Sequence, residues 1–187
     1  MVCEQLRARV SDSRVVVNTV GLSDRSGTAK LNFCRDSSDL STLHRNVTEL
    51  YSASIYEVIP VGLITGDEYC RSCNISHIDF LKIDTEGHEL SIIKGFGDMI
   101  ERKCIDLIQF EYNKSAVGAR VFLRDFYDVL FDDYEVGRLT PVGVDFQEYS
   151  YYHEAKESNY LAVRKARSEY VDLLAIAGEH SRGLSWS

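Results

Sequence analysis

Two apolar segments of this sequence end in carboxylates. Ile78-Asp79-Phe80-Leu81-Lys82-Ile83-Asp84 closes on Asp84, and Ile105-Asp106-Leu107-Ile108-Gln109-Phe110 is followed by Glu111. Thr85, Glu86, Gly87 and His88 come directly after Asp84. If the two segments are neighbouring strands, their tips lie about 5 Å apart. Ligands of open parallel sheets bind outside the carboxyl ends of the strands, so both acids would face one crevice. Lys82 sits two residues before Asp84, on the same face of the pleat. Carboxylates, an imidazole and an ammonium gathered in this way can take up a proton, orient the group that does so, or hold a polar ligand.

Each of these residues also has a plainer role. Glu86 and His88 stand where a helix begins, and an acid there caps free amides and suits the helix dipole. His88 would equally serve as a surface histidine on the first turn. Lys82, inside an apolar strand, would be a buried ammonium that needs Asp84 or Glu111 as a structural partner. Asp79, at the strand entrance, reads as solvated.

The elements that must hold these groups follow from periodicity. Residues 3–10 read as the end of a helix. Arg14 to Val20 is β-branched and reads as a short buried strand. Ala29, Leu31 and Phe33 alternate with polar residues, as in a strand with one wet face. Residues 35–54 are Ser-, Asp- and Thr-rich and read as a loop with a short helix; Val58 to Leu63 reads as a strand. Leu90, Ile93, Phe96 and Ile100 recur at helical spacing, as do Val117, Val121, Phe122, Phe126, Val129 and Leu130. Glu135 to Leu139 and Tyr160 to Val163 read as strands. Tyr170, Leu173, Leu174 and Ala177 share one helical face in the tail, which ends in a loose Gly/Ser segment. Strand–helix alternation with nearly continuous apolar strands predicts an α/β fold: a parallel sheet buried on both faces by helices.

Composition narrows the function. At 187 residues the chain fits one domain, with 1–165 as its body and 166–187 as a helix and tail. The formal net charge of −8 disfavours bulk attraction to phosphate backbones, so no nucleic-acid partner is expected. No apolar run approaches the roughly 20 residues of a membrane span. No secretory leader is recognisable at the N-terminus, so a cytoplasmic protein with no membrane partner is expected. The five cysteines do not suggest a disulfide framework. Cys70 and Cys73 form a Cys-x-x-Cys pair with His77 four residues on, but a second ligand pair for zinc is absent, and free loop thiols are the expectation. The Asn-x-Ser/Thr triplets at Asn46, Asn74 and Asn113 read as chance.

The string IDFLKIDTEGHELSIIKGF, Ile78 to Phe96, resembles the central motif of the FkbM family of methyltransferases, with Lys82, Asp84, Glu86, Gly87, Glu89, Lys94 and Gly95 at matching positions. Asn18 to Gly27 is similar to that family's third strand and its Leu-Ser-Asp-x-x-Gly turn. Gln109 to Tyr112 and Asn159 to Val163 resemble two further strands. The resemblance implies a Rossmann-like class I methyltransferase sheet with helices on both faces. It implies S-adenosylmethionine as cofactor, met by Asp84, Ser23 and Asp24, and a small-molecule hydroxyl acceptor on a sugar or secondary metabolite. A hydroxyl is a poor nucleophile, so a base must take its proton. His88 or Glu86 would be that base, with Lys82 or Glu111 orienting it.

The family opens with a strand, an Asp-x-Gly-x-x-x-Gly turn and a second strand ending in an acid. Neither strand has a counterpart here. In the family's order they lie between the segment at Val15 and that at Ile78, so the domain is expected to be truncated at its N-terminus and to bind S-adenosylmethionine weakly on its own. Gly95-Phe96-Gly97 reads as a helix C-cap rather than a cofactor turn. Two other functions fit parts of the pattern. Asp84, Glu86, His88 and Glu111 are ligand types for Mg²⁺ or Mn²⁺, as in a metal-dependent hydrolase. A non-catalytic methyltransferase-like module, with Tyr149, Tyr151 and Tyr152 stacking on a sugar, is the other; those tyrosines otherwise read as half-exposed hairpin residues. A homo-oligomer is compatible with either.

Overall fold

The computed structural model describes residues 2–51 and 55–176. The chain runs through α1 (Val2–Arg9), β1 (Gly21–Ser23), β2 (Gly27–Cys34), α2 (Arg45–Thr48), β3 (Tyr56–Thr65), α3 (Gly66–Ser72), β4 (Ile78–Ile83), α4 (Glu89–Lys94), α5 (Gly97–Glu101) and β5 (Ile105–Tyr112). It continues through α6 (Lys114–Gly118), α7 (Leu123–Leu130), β6 (Tyr134–Thr140), β7 (Gly143–Phe146), β8 (Ser158–Arg164) and α8 (Ser168–Leu174). Short 3-10 turns interrupt the loops, among them Glu49–Tyr51 and Tyr151–Ala155.

The strands form two sheets rather than one. The smaller has the order β1-β3-β2 and the larger β4-β5-β8-β6-β7. β4 and β5 pair in parallel, as their apolar runs predict. β8 lies between β5 and β6 and is antiparallel to both, so those two strands point the same way without touching. The all-parallel expectation therefore holds for β4 with β5 and, in the smaller sheet, for β1 with β3, while the remaining pairs are antiparallel. β7 makes a hairpin with β6.

The main core lies on the face of the larger sheet covered by α4, α5 and α7. Phe110 of β5 stacks on Phe126 of α7 at 4.4 Å between ring centres and on Tyr160 of β8 at 5.7 Å. The other face carries Val144, Leu161 and Val163, covered by Val171 of α8. Helices thus pack on both faces. The tail helix closes on this domain and not on open solvent. Asp106 fixes it, with Arg164 and Arg167 each 2.8 Å from its carboxylate. Ala177 and the Gly/Ser segment beyond lie outside the described residues.

Two expectations need correction. Arg14 to Val20 is not a buried strand: Val15 and Val16 are 52% and 73% exposed, and strand pairing starts only at Gly21. β-branched residues favour strands where they pack against neighbours, and these have no sheet face to pack on. β4 is not buried on both faces either. It is an edge strand, with Phe80 50% exposed. β1 is the edge strand of the other sheet, and between the two edges lies a cleft of about 360 Å³ lined by Val20, Leu22, Leu81, Ile83 and Ile92.

Candidate active site

The pairing Ile83↔Phe110 sets Asp84 beside Glu111, one residue beyond the last paired rung. Alternation puts Lys82, Asp84, Gln109 and Glu111 on the same sheet face. Lys82 Nζ reaches Asp84 Oδ2 at 2.6 Å. Both side chains are about half exposed, at 50% and 45%, so the ammonium is not buried as its apolar strand suggested. Edge placement is the reason: nothing covers that side of β4. An ion pair this open adds little stability, typically about 0–1 kcal/mol, and its main effect is to fix Asp84 in place.

The turn after Asp84 is unusual backbone. Glu86 and Gly87 have φ of +53° and +99°. A Cβ on residue 87 would come within 2.8 Å of the Ser115 carbonyl, so both conformation and space demand glycine. Glu89 holds the turn closed. It is 2% exposed, and its carboxylate accepts from the Thr85 amide at 2.7 Å, the Thr85 hydroxyl at 3.0 Å and the Gly87 amide at 3.0 Å. Burial pushes its carboxyl above the ordinary range, against the pull of these donors.

Glu86 does not cap α4. Its carboxylate accepts from Ser115 Oγ at 2.6 Å and from the Tyr51 hydroxyl at 3.2 Å. The Asn113 side chain in turn accepts from the Ser115 amide at 2.7 Å, and the Lys114 ammonium stands 4.7 Å over the Tyr51 ring. Thr42, fully buried, donates its hydroxyl to the Glu86 carbonyl at 2.7 Å. The loop between β2 and β3 is thereby tied to the motif turn.

His88 is the residue before α4 and makes no side-chain cap bond. Its Nε2 lies 2.9 Å from Ser23 Oγ and its Nδ1 lies 3.1 Å from His44 Nε2. Ser23, 2% exposed, donates to Asp24 Oδ1 at 3.1 Å. Burial, and then the neighbouring His44, push His88 down to about 4, and burial lowers His44 as well. Both imidazoles are therefore neutral at pH 7. Ser23 and Asp24 serve this chain; they do not line the neighbouring cavity of about 410 Å³, whose walls include Asn18, Leu22, Leu31, Asp84, His88 and Ile92.

Gly95 is the C-cap of α4, as its sequence reading expected, in right-handed backbone with φ of −69°. A Cβ there would come 2.0 Å from the Ser23 carbonyl, so glycine lets α4 approach β1. That approach brings Ser23 under His88.

Glu111 is raised above the usual carboxylate range, first by burial and then by Asp84, Glu86 and Glu89. Four acids thus share one end of the strands. They do not form a cation cage. Among the described residues, the ligand atoms that gather within 4.8 Å of one another are those of His77, Asp79 and Asp106, at the other end of β4. Asp106 there is already bound by Arg164 and Arg167. The metal-dependent hydrolase reading therefore lacks its ligand geometry.

The Cys-x-x-Cys pair is helical rather than in a loop. Cys70 is buried in α3 and Cys73 is exposed at its end, both as free thiols. Tyr151 and Tyr152 lie on a 3-10 turn, 66% and 68% exposed, with ring centres 4.0 Å apart.

Four participants had no sequence signal: His44, Thr42 and Tyr51 come from a polar loop without periodicity, and Ser115 from the first turn of α6, just after β5. Glu89 lay inside the motif string, where its turn-closing role was readable only once the turn was seen.

Among the described residues, no helix is long and apolar enough to cross a membrane. Neither curated proteins nor solved structures give a match. The family model for the methyltransferase FkbM domain matches residues 2–136, which span the motif turn, the His44 loop and the β4–β5 pair. The chain belongs to the FkbM methyltransferase domain family, and its mixed α/β fold is of the Rossmann-like methyltransferase kind.

Proposed function

We propose that this methyltransferase uses S-adenosylmethionine and methylates a hydroxyl oxygen of a sugar or secondary metabolite. The observation that carries the reading is the closed turn from Asp84 to Glu89 beside Glu111, within a chain of the FkbM family. The cofactor fits the residues present. The cavity of about 410 Å³ falls within the range of roughly 300–1,000 Å³ usual for small-molecule sites. Leu22, Leu31, Val61, Leu63 and Ile92 offer apolar wall for an adenosine, and Asp84 and Asp39 offer carboxylates for its cationic and hydroxyl groups.

When bound, the cofactor supplies a methyl group activated by a sulfonium. Asp84, held by Lys82, would orient the amino-acid end. Glu86, anchored to Ser115 and Tyr51, would position the acceptor at the strand ends. A neutral imidazole of the His88 chain would take the hydroxyl proton. Alignment of the two reactants supplies a large part of such a rate enhancement.

Calorimetric titration with S-adenosylmethionine tests the cofactor. Affinity on the order of millimolar is expected, because among the described residues no glycine-rich turn lines this open cavity, and Asp84→Asn should abolish the residual heat. Transfer of labelled methyl to a panel of sugar and polyketide alcohols tests the reaction. No transfer at saturating cofactor would refute the reading and leave the non-catalytic module.

A further inference from the structure

The Cys-x-x-Cys pair takes no part in the site described above. Both cysteines stand in the last turn of α3, Cys70 inside it and Cys73 as its C-cap. Residues three apart on such a turn have Cα atoms about 5 Å apart, from a rise of about 1.5 Å per residue on a radius of about 2.3 Å. A disulfide takes Cα separations of roughly 4.4–6.8 Å, so the backbone already stands at bonding distance. Cβ atoms at this spacing are about 5–6 Å apart and a disulfide needs about 3.5–4.5 Å, so the side chains must close by about 1 Å. The Cys73 end can supply that movement. Its φ of −100° and ψ of 3° have left the helical well, and the chain then turns through Asn74 at φ +55°. Cys70 is the fixed end: its carbonyl accepts from the Ile75 amide at 2.8 Å, and its side chain sits in the main core.

The two thiols differ as an attacking and a resolving thiol must. Cys73 is exposed, so it meets a reagent in solution first. Cys70 is 3% exposed and is out of such a reagent's reach. Burial pushes the Cys70 thiol up, so its thiolate gains nothing that would favour the reduced pair over the disulfide. Tyr69 carries the state of the pair outward. Its hydroxyl accepts from Asn18 Nδ2 at 2.7 Å and is hydrogen-bonded to the Cys73 thiol. Asn18 lines the cavity of about 410 Å³.

We propose that Cys70 and Cys73 are a dithiol–disulfide pair, oxidised by small-molecule disulfides, and that closing it withdraws Cys73 from Tyr69 beside the cavity. The Cys73 thiolate attacks one sulfur of the small disulfide. That S–S bond breaks, and one small thiol leaves with the proton Cys73 gave up. The Cys70 thiolate then attacks Cys73 Sγ, forming the Cys70–Cys73 bond. The second small thiol leaves with the Cys70 proton. The protein loses two hydrogens and two electrons, and the small disulfide gains them. The pair stands apart from the methyl-transfer chemistry and does not depend on it.

Treatment of the full chain with oxidised glutathione, followed by alkylation of remaining thiols and tryptic mass mapping without reductant, tests the pair. Trypsin cuts after Arg71, between the two cysteines, so their peptides stay joined only through a bond between them. Joined peptides that separate with dithiothreitol are expected. Cys70→Ser should stop the reaction at a stable glutathione adduct on Cys73. Cys73→Ser should slow loss of the Cys70 thiol by about 10-fold or more. An unreacted wild-type chain, a lasting adduct on wild-type Cys73, or a bond from either residue to Cys34 or Cys104 overturns the proposal. In ¹H–¹⁵N spectra of the same chain, the Asn18 side-chain amide should shift on oxidation and return on reduction. A signal that stays in place while the disulfide forms overturns the link to the cavity.

Discussion

The carbonyl oxygen of Ser23 occupies the space that a side chain on Gly95 would need: a Cβ there would stand 2.0 Å away. Gly95→Ala must therefore push α4 off β1 or twist the Ser23 peptide. The expected cost is about 2 kcal/mol, as for other overpacked contacts. In a chain of this size that is a fall in Tm of roughly 4–8 °C by calorimetry. The shift should also break the Ser23–His88 bond, so the His88 signals should move. An unchanged Tm would mean that the helix yields freely there.

Glu111→Gln should stabilise the protein at neutral pH. The carboxyl is raised in the folded state, by burial first and then by Asp84, Glu86 and Glu89. A raised group contributes stability that is present below its unfolded pKa and lost as pH rises through the folded value. Removing its charge should therefore raise Tm by a few degrees at pH 7 to 8 and change little at pH 4. Thermal melts across that interval read the difference, and a gain confined to acid pH would contradict it.

Asp106→Asn should act in the opposite sense. Burial alone would raise this carboxyl, but hydrogen bonds from Arg167 and Arg164 hold it below the ordinary range. Its stabilisation is present above the unfolded pKa and lost as pH falls through the folded one. Leaving two guanidiniums without their shared anion should cost about 3 kcal/mol at pH 7, and less as the pH drops below 4. Proteolysis should then cut first near α8, which the pair of arginines secures.

Glu86→Gln and His88→Ala should each lower methyl transfer by about 100-fold, for different reasons. The first weakens the charged anchor on Ser115 and Tyr51. The second removes the ring that joins Ser23 to His44. Steady-state kinetics on the two variants reads this directly. Full activity in both would take the turn out of the mechanism.

The parts of the site that could be read from sequence are local ones. An acid closing each of two apolar strands, with a Glu-Gly turn between them, is enough to set Asp84 beside Glu111, because register follows from strand length and direction. The burial of Lys82 was misread because an apolar run does not reveal whether a strand is central or at an edge. Arg14 to Val20 was misread for the converse reason: strand-forming residues need a neighbour to pair with. His44 was invisible because its partner lies 44 positions away, and no periodicity marks a contact between a polar loop and a helix start. The role of Glu89 was hidden by its type, since an acid at a helix start suggests solvent exposure rather than a buried clasp.

The margins of β1 and β4 carry a last consequence. Each presents a row of amides and carbonyls that no strand among the described residues claims, flanked by Val20, Leu81 and Phe80. Such rows recruit foreign backbone, so crowding this polypeptide invites sheet-to-sheet aggregation. Handling at low concentration, or a lysine in place of Phe80, should keep it dispersed.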